Sequence, residues 1–248
     1  MKFTYEAYEN LMGLIRGAGY SIVGYDSYKN VDRPCILRHD VDMTLELASK
    51  FANFEASLKE GAVQSTYFVL LSSDFYNPYS KENIQHLRTI LKSGHNIGLH
   101  FDEKKYMTEK NFDAGYLKEC VKKESDMLAE VIEAPITSVS MHRPSKKFLA
   151  AEFEFPGLVN SYSKTFFNDF KYVSDSRMNW REDVEMLVSS KKEDGLHILT
   201  HPIWYAENER TLHDIMKMFI KAAVDQRYAT ASDNLRSLDE IITLEEVI

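Results

Sequence analysis

Short apolar runs alternate with stretches of helical periodicity along most of the chain. Cys35-Ile36-Leu37 reads as a strand that runs into Arg38-His39-Asp40. Over 44–59, Leu47, Phe51, Phe54 and Leu58 recur three or four residues apart, which predicts an amphipathic helix with one face on the core. The segment STYFVLL at 65–71 is β-branched and aromatic, the composition of a buried strand. A second helix is expected over 82–92, closed by Ser93-Gly94, because glycine accepts the left-handed conformation that ends many helices. There follow a strand over 96–101, a long charged helix over 114–132 that stops before Pro135, and strands over 136–141 and 158–162. GLHILT at 195–200 is a late strand, and 212–224 forms the closing helix.

Strands separated by helices imply a parallel sheet, since parallel neighbours need a crossover between them. The pattern fits either a barrel or an open doubly wound sheet, and in both the chemistry gathers at the C-terminal ends of the strands. No repeat, low-complexity tract or Pro/Gly-rich linker interrupts the chain, so a single domain over 1–248 is expected.

The polar residues at those strand ends carry the information. Asp40 and Asp42 in Arg38-His39-Asp40-Val41-Asp42 are two apart, so extended backbone points both carboxylates the same way. Two converging carboxylates repel unless a metal or an arginine stands between them. Asp42 also fits as the N-cap of the helix that follows. His100 and Asp102 share a face at the end of the next cluster, Gly94 to Asp102. His142-Arg143-Pro144 follows the 136–141 strand, and His201-Pro202 follows 195–200. Each histidine alone reads as an ordinary core or surface residue; four polar strand ends with one periodicity do not.

Composition narrows the classes. A net charge of −8 argues against a broad nucleic-acid-binding face. No stretch reaches the roughly 18 apolar residues of a membrane span, and the opening residues, with Glu6, Glu9 and Arg16, are too polar for a signal peptide. A cytoplasmic protein is expected, with homo-oligomerisation left open. Cys35 and Cys120 lack metal-site or redox spacing and read as buried free thiols.

The order of strand–RHDVD, STYFV, SGHNIGLH, HRPS, DSRMNW and LTHP, over about residues 33–205, resembles the polysaccharide deacetylase (NodB-homology, carbohydrate esterase) family, in particular a divergent RHDVD-type branch. The resemblance implies a distorted (β/α) barrel of about seven parallel strands. It implies a metal-dependent hydrolase that removes an acetyl or formyl group from the nitrogen of an amino-sugar or glycan precursor. The same resemblance makes Asp40 the general base, oriented by Arg143, and His201 the general acid, supported by Asp175. Asp42 and His100 become ligands to a divalent ion, zinc by ligand type, while His95 does not bind it. The family's second histidine ligand falls four residues after the first, where this chain has Lys104. His142 is the leading replacement and Asp102 the second. Trp180, Trp204 and Tyr205 are candidates for a sugar-binding wall or for core, and 146–169 for a covering loop. The competing readings are a carbohydrate-binding protein without catalysis and a metal-independent amidohydrolase of a non-sugar amide.

Overall fold

The computed structural model describes residues 1–59, 61 and 63–247. The chain divides into two compact units, Met1–Glu207 and Asn208–Ile248, with the division in an exposed polar stretch that no proline or glycine marks in the sequence. The motif-bearing core lies in the first unit.

That unit contains α1 (Tyr5–Gly17), β1 (Ser21–Ile22), β2 (Pro34–Val41), α2 (Leu45–Ala56), β3 (Thr66–Leu70), α3 (Lys81–Lys92) and β4 (Asn96–Phe101). It continues with α4 (Ala114–Ile132), β5 (Ser138–Met141), α5 (Lys146–Ala150), β6 (Val159–Asn160), β7 (Lys171–Ser174), α6 (Val184–Ser190) and β8 (Leu196–Thr200). All pairings between these strands are parallel, in the order β6-β5-β4-β3-β2-β8-β7, with β1 beside the start of β2. Seven strands curl into a half-barrel flanked by helices, and no ladder joins β6 to β7 among the described residues.

Each helix begins where its sequence supplies a cap. Thr44, not Asp42, accepts the backbone N–H of Leu47 at the start of α2, which frees Asp42 for other work. Glu133 holds the left-handed conformation that ends α4 ahead of Pro135.

The period-two alternation of β2 sorts its side chains. His39 faces the helices and meets Glu55 of α2, whereas Ile36, Arg38 and Asp40 face the interior. The interior floor is aromatic: Tyr25, Phe68, Phe166 and Phe170 surround Ile36. Phe166 therefore belongs to the core rather than to a covering loop. Gly98 on β4 makes room for this floor, since a Cβ there would lie 2.5 Å from the Phe68 ring. The register sets His100 beside Leu70 on one side and Ser140 on the other, and His39 beside Thr200.

The second unit is built on α7 (Leu212–Asn234), which extends to Asn234 where periodicity suggested 224, and α8 (Leu244–Val247). Thr211 and Asp214 form a reciprocal capping box at its start. Among the described residues no helix is long and apolar enough to cross a membrane. Cys35 and Cys120 are both buried and unpaired.

Candidate metal centre

The C-terminal ends of β2, β4 and β5 bring Asp42, His100 and His142 together. The Asp42 Oδ1 atom lies 3.2 Å from His100 Nε2 and 3.2 Å from His142 Nδ1, and the two nitrogens are 3.2 Å apart. The three donors thus form an equilateral triangle. Ligands about 2.0 Å from a tetrahedral ion stand roughly 3.3 Å from one another, so the triangle fits one face of such a shell and leaves a fourth corner open.

Two further observations fit a cation. Asp42 Oδ1 is buried with no hydrogen-bond partner among the described residues, an orphan acceptor that costs free energy if nothing binds it. His100 Nδ1 lies 3.3 Å from the Ser140 carbonyl, which only accepts, so Nδ1–H donates; a neutral ring then turns its Nε2 lone pair into the triangle. The His142 backbone N–H donates to the Phe101 carbonyl and ties the ends of β4 and β5 together. Burial pushes the Asp42 carboxyl up, but the neighbouring His100, His142 and His201 imidazoles outweigh it and hold it well below the usual carboxylate range.

Asp40 stands next to this triangle, its Oδ2 3.5 Å from His100 Nε2. Here the structure corrects the expected partner. Arg38, fully buried, donates from Nε to Oδ1 and from a terminal nitrogen to Oδ2, each at 2.8 Å. Its remaining terminal nitrogen donates to Ser161 Oγ at 3.2 Å, and its plane lies near the Phe68 and Tyr162 rings. Arg143 is exposed on the loop after β5 and has no ion pair with Asp40. The reason is positional: Arg38 shares a face and a strand with Asp40, whereas Arg143 lies beyond the end of β5. Burial opposes ionisation of Asp40, and the Arg38 charge overrides it, so the carboxyl stays below its ordinary range.

His201 completes the cluster. Its Nδ1–H donates to Asp175 Oδ1 at 2.6 Å and its backbone N–H to Asp175 Oδ2, while Nε2 stands 3.9 Å from Asp42 Oδ2. Burial disfavours the charged ring, but Asp175 outweighs it, with help from Asp42 and Asp40, and His201 is pushed up to about 9.

The other candidates fall elsewhere. Asp102 caps the turn after β4, accepting the backbone N–H of Lys104 at 3.0 Å, and is not in the donor cluster. His95 bonds Ser65 and the Ala52 carbonyl beneath α2. Tyr205 packs against Phe3, Tyr8 and Phe51 and is core. Trp204 is buried with its ring 6.0 Å from that of His201, and Trp180 is half-buried; the indole N–H of each lacks a partner. Sequence reasoning missed Arg38 and Ser161 as supports for Asp40. The same two-residue spacing that aligned Asp40 with Asp42 also aligns Arg38 with them.

No protein-family profile matches the chain, and no curated protein matches it. Among solved structures it is similar to a CE4 family pseudoenzyme from Bacillus anthracis (16% identity, 79% of this chain and 64% of that one, TM-score 0.41). It is also similar to peptidoglycan deacetylase PdaC from Bacillus subtilis (15% identity, 83% and 96%, TM-score 0.42). A third is the Streptococcus pyogenes deacetylase PplD in complex with acetate (9% identity, 79% and 80%, TM-score 0.42). The chain thus spans about two thirds of the length of the first of these. Likeness of this degree assigns no activity.

Proposed function

We propose that this protein is a metal-dependent hydrolase that removes an N-acyl group, acetyl or formyl, from an amino-sugar or glycan precursor. The observation that carries the reading is the donor triangle of Asp42, His100 and His142 with a carboxylate and an imidazole of different environment beside it. A divalent ion held by those three side chains, zinc on the basis of its ligands and the 3.2 Å edges, would polarise the acyl carbonyl and acidify water.

The chain's own residues supply the proton transfers. Asp40, kept ionised by Arg38, takes the proton of the water that attacks the carbonyl carbon. His201, with Nδ1–H committed to Asp175, presents Nε2 toward Asp42 and delivers a proton from it to the departing nitrogen. The carbon–nitrogen bond then breaks to give a carboxylate and a free amine. Arg38 and Asp175 are positioning residues.

Purified protein is expected to carry about one zinc per chain by elemental analysis and to release acetate or formate from an N-acylated amino sugar. Asp42→Ala should lose the ion, whereas Asp40→Asn should keep it and lose roughly 10²-fold or more of turnover. A metal-free preparation with full activity would refute the proposal.

A further inference from the structure

A cavity of about 510 Å³ opens between the loops that follow β4 and β5, the two strands that carry the histidines. Lys104, Arg143 and Lys146 line it, all exposed and none in an ion pair among the described residues. Three unpaired cations on one cavity are notable in a chain of net charge −8. Their shared sign gives the cavity mouth a positive potential that favours an anion. The lining also contains one acid. Glu103 is 3% exposed; its Oε1 accepts the Ser145 backbone N–H, and its Oε2 is buried without any partner. That atom requires a donor, and none of the described residues supplies one. Met107 and Phe112 add an apolar wall.

The cavity adjoins the donor triangle through the chain itself. Arg143 directly follows His142, and Glu103 and Lys104 come just after His100. A ligand of both sites must bridge from the ends of β4 and β5 to the loops that follow them.

We propose that the cavity holds the phosphoryl group of an N-acylated amino-sugar phosphate, with Lys104, Arg143 and Lys146 on its oxygens and Glu103 Oε2 accepting a sugar hydroxyl. Phosphoryl oxygens suit this set because Arg143 binds them as a fork and the two lysines as point charges. The inference rests on the hydrolase reading and names its substrate class. It also gives Arg143 a role as a binding group in place of the one expected beside Asp40.

Two measurements separate the claims. Calorimetric titration of metal-free protein with N-acetylglucosamine 1-phosphate, N-acetylglucosamine and inorganic phosphate reads the cavity without the ion. The sugar phosphate should bind at least tenfold more tightly than either of the others. Lys104→Ala/Arg143→Ala should weaken it roughly tenfold or more, and Lys146→Glu should do so independently. Equal binding of the sugar phosphate and the neutral sugar, or no change in the variants, overturns the proposal. Equal binding of sugar phosphate and inorganic phosphate makes this a free-anion site and overturns the substrate assignment. Acyl release from the two sugars is then compared on the zinc-loaded protein. A kcat/KM ratio that favours the phosphorylated sugar and collapses in the double variant supports both claims. Tight, variant-sensitive binding with no acyl release from either sugar leaves the phosphoryl site standing and sinks the hydrolase reading. Acyl release at equal kcat/KM, with no phosphoryl preference in binding, does the reverse.

Discussion

Glu55→Gln tests how the strand that carries both aspartates is held. Glu55 of α2 is fully buried and receives four donors: the Tyr8 hydroxyl and His39 Nε2 on Oε1, and the Ser65 and Tyr67 hydroxyls on Oε2. Burial alone would raise its carboxyl; the His39 and His95 imidazoles and the Tyr8 hydrogen bond prevail and lower it from 4.5 to about 2. At about 1.4 kcal/mol per pH unit, that depression is worth about 3 kcal/mol of folding free energy at neutral pH. Because the folded value is the lower one, the contribution is complete above about 4.5 and disappears as pH falls through 2. Glutamine keeps the shape but has no charge, and its amide nitrogen faces two groups that also donate. Urea denaturation should therefore show the variant about 3 kcal/mol less stable at pH 7, with the gap closing to about 1 kcal/mol at pH 3. A gap that is the same at both pH values, or below about 0.5 kcal/mol at pH 7, would refute this account.

Other expectations follow from single contacts. Arg38→Met leaves the Asp40 carboxylate buried without its partner and should cost roughly 3–5 kcal/mol in urea denaturation, partly recovered by Arg38→Met/Asp40→Asn. The exposed Arg143→Met should change stability by less than about 0.5 kcal/mol; the opposite ranking would mean that Arg143 is the partner after all. Gly98→Ala drives a methyl into the Phe68 ring and should destabilise by about 1–3 kcal/mol, with Phe68→Leu in the same chain restoring part of the loss. An unchanged melting temperature for the single variant would count against the tight floor beneath the centre.

Much of the fold was legible because its signals are local. The 96–101 strand and the 114–132 helix end where glycine, proline and apolar spacing place them, and the structure has β4 and α4 over those residues. What escaped was short or read for another purpose. The two-residue β1 is too brief for a two-residue alternation to register, and β7, Lys171-Tyr172-Val173-Ser174, offers no apolar run. In α1, Tyr8, Leu11, Met12 and Ile15 have the spacing of a buried helical face, yet the charges among them had been read only as evidence against a leader. At the site, strand ends named the groups but not their pairings. Two arginines stand near Asp40 in sequence logic, Arg38 by strand alternation and Arg143 by motif order. Only the three-dimensional register shows that Arg38 points into the barrel while Arg143 lies on an exposed loop.

The different fates of Asp40 and Asp42 follow from where β2 ends. Both carboxylates lie on one face of extended chain, and both would resist burial together. Asp40 is still inside the barrel, where Arg38, two residues earlier on that face, occupies both of its oxygens. Asp42 is past the last residue of the strand, beyond the reach of that guanidinium, and faces two imidazoles instead. A neutral imidazole can donate through only one nitrogen, and His100 has committed its Nδ1–H to the Ser140 carbonyl. Its Nε2 and the orphan Asp42 Oδ1 are then two lone pairs aimed at each other across 3.2 Å, a repulsion relieved by a proton or by a cation. A proton can bridge only one pair of atoms in an equilateral set of three donors. A metal ion bonds all three at once, and the third edge, between His142 and His100, is as short as the other two.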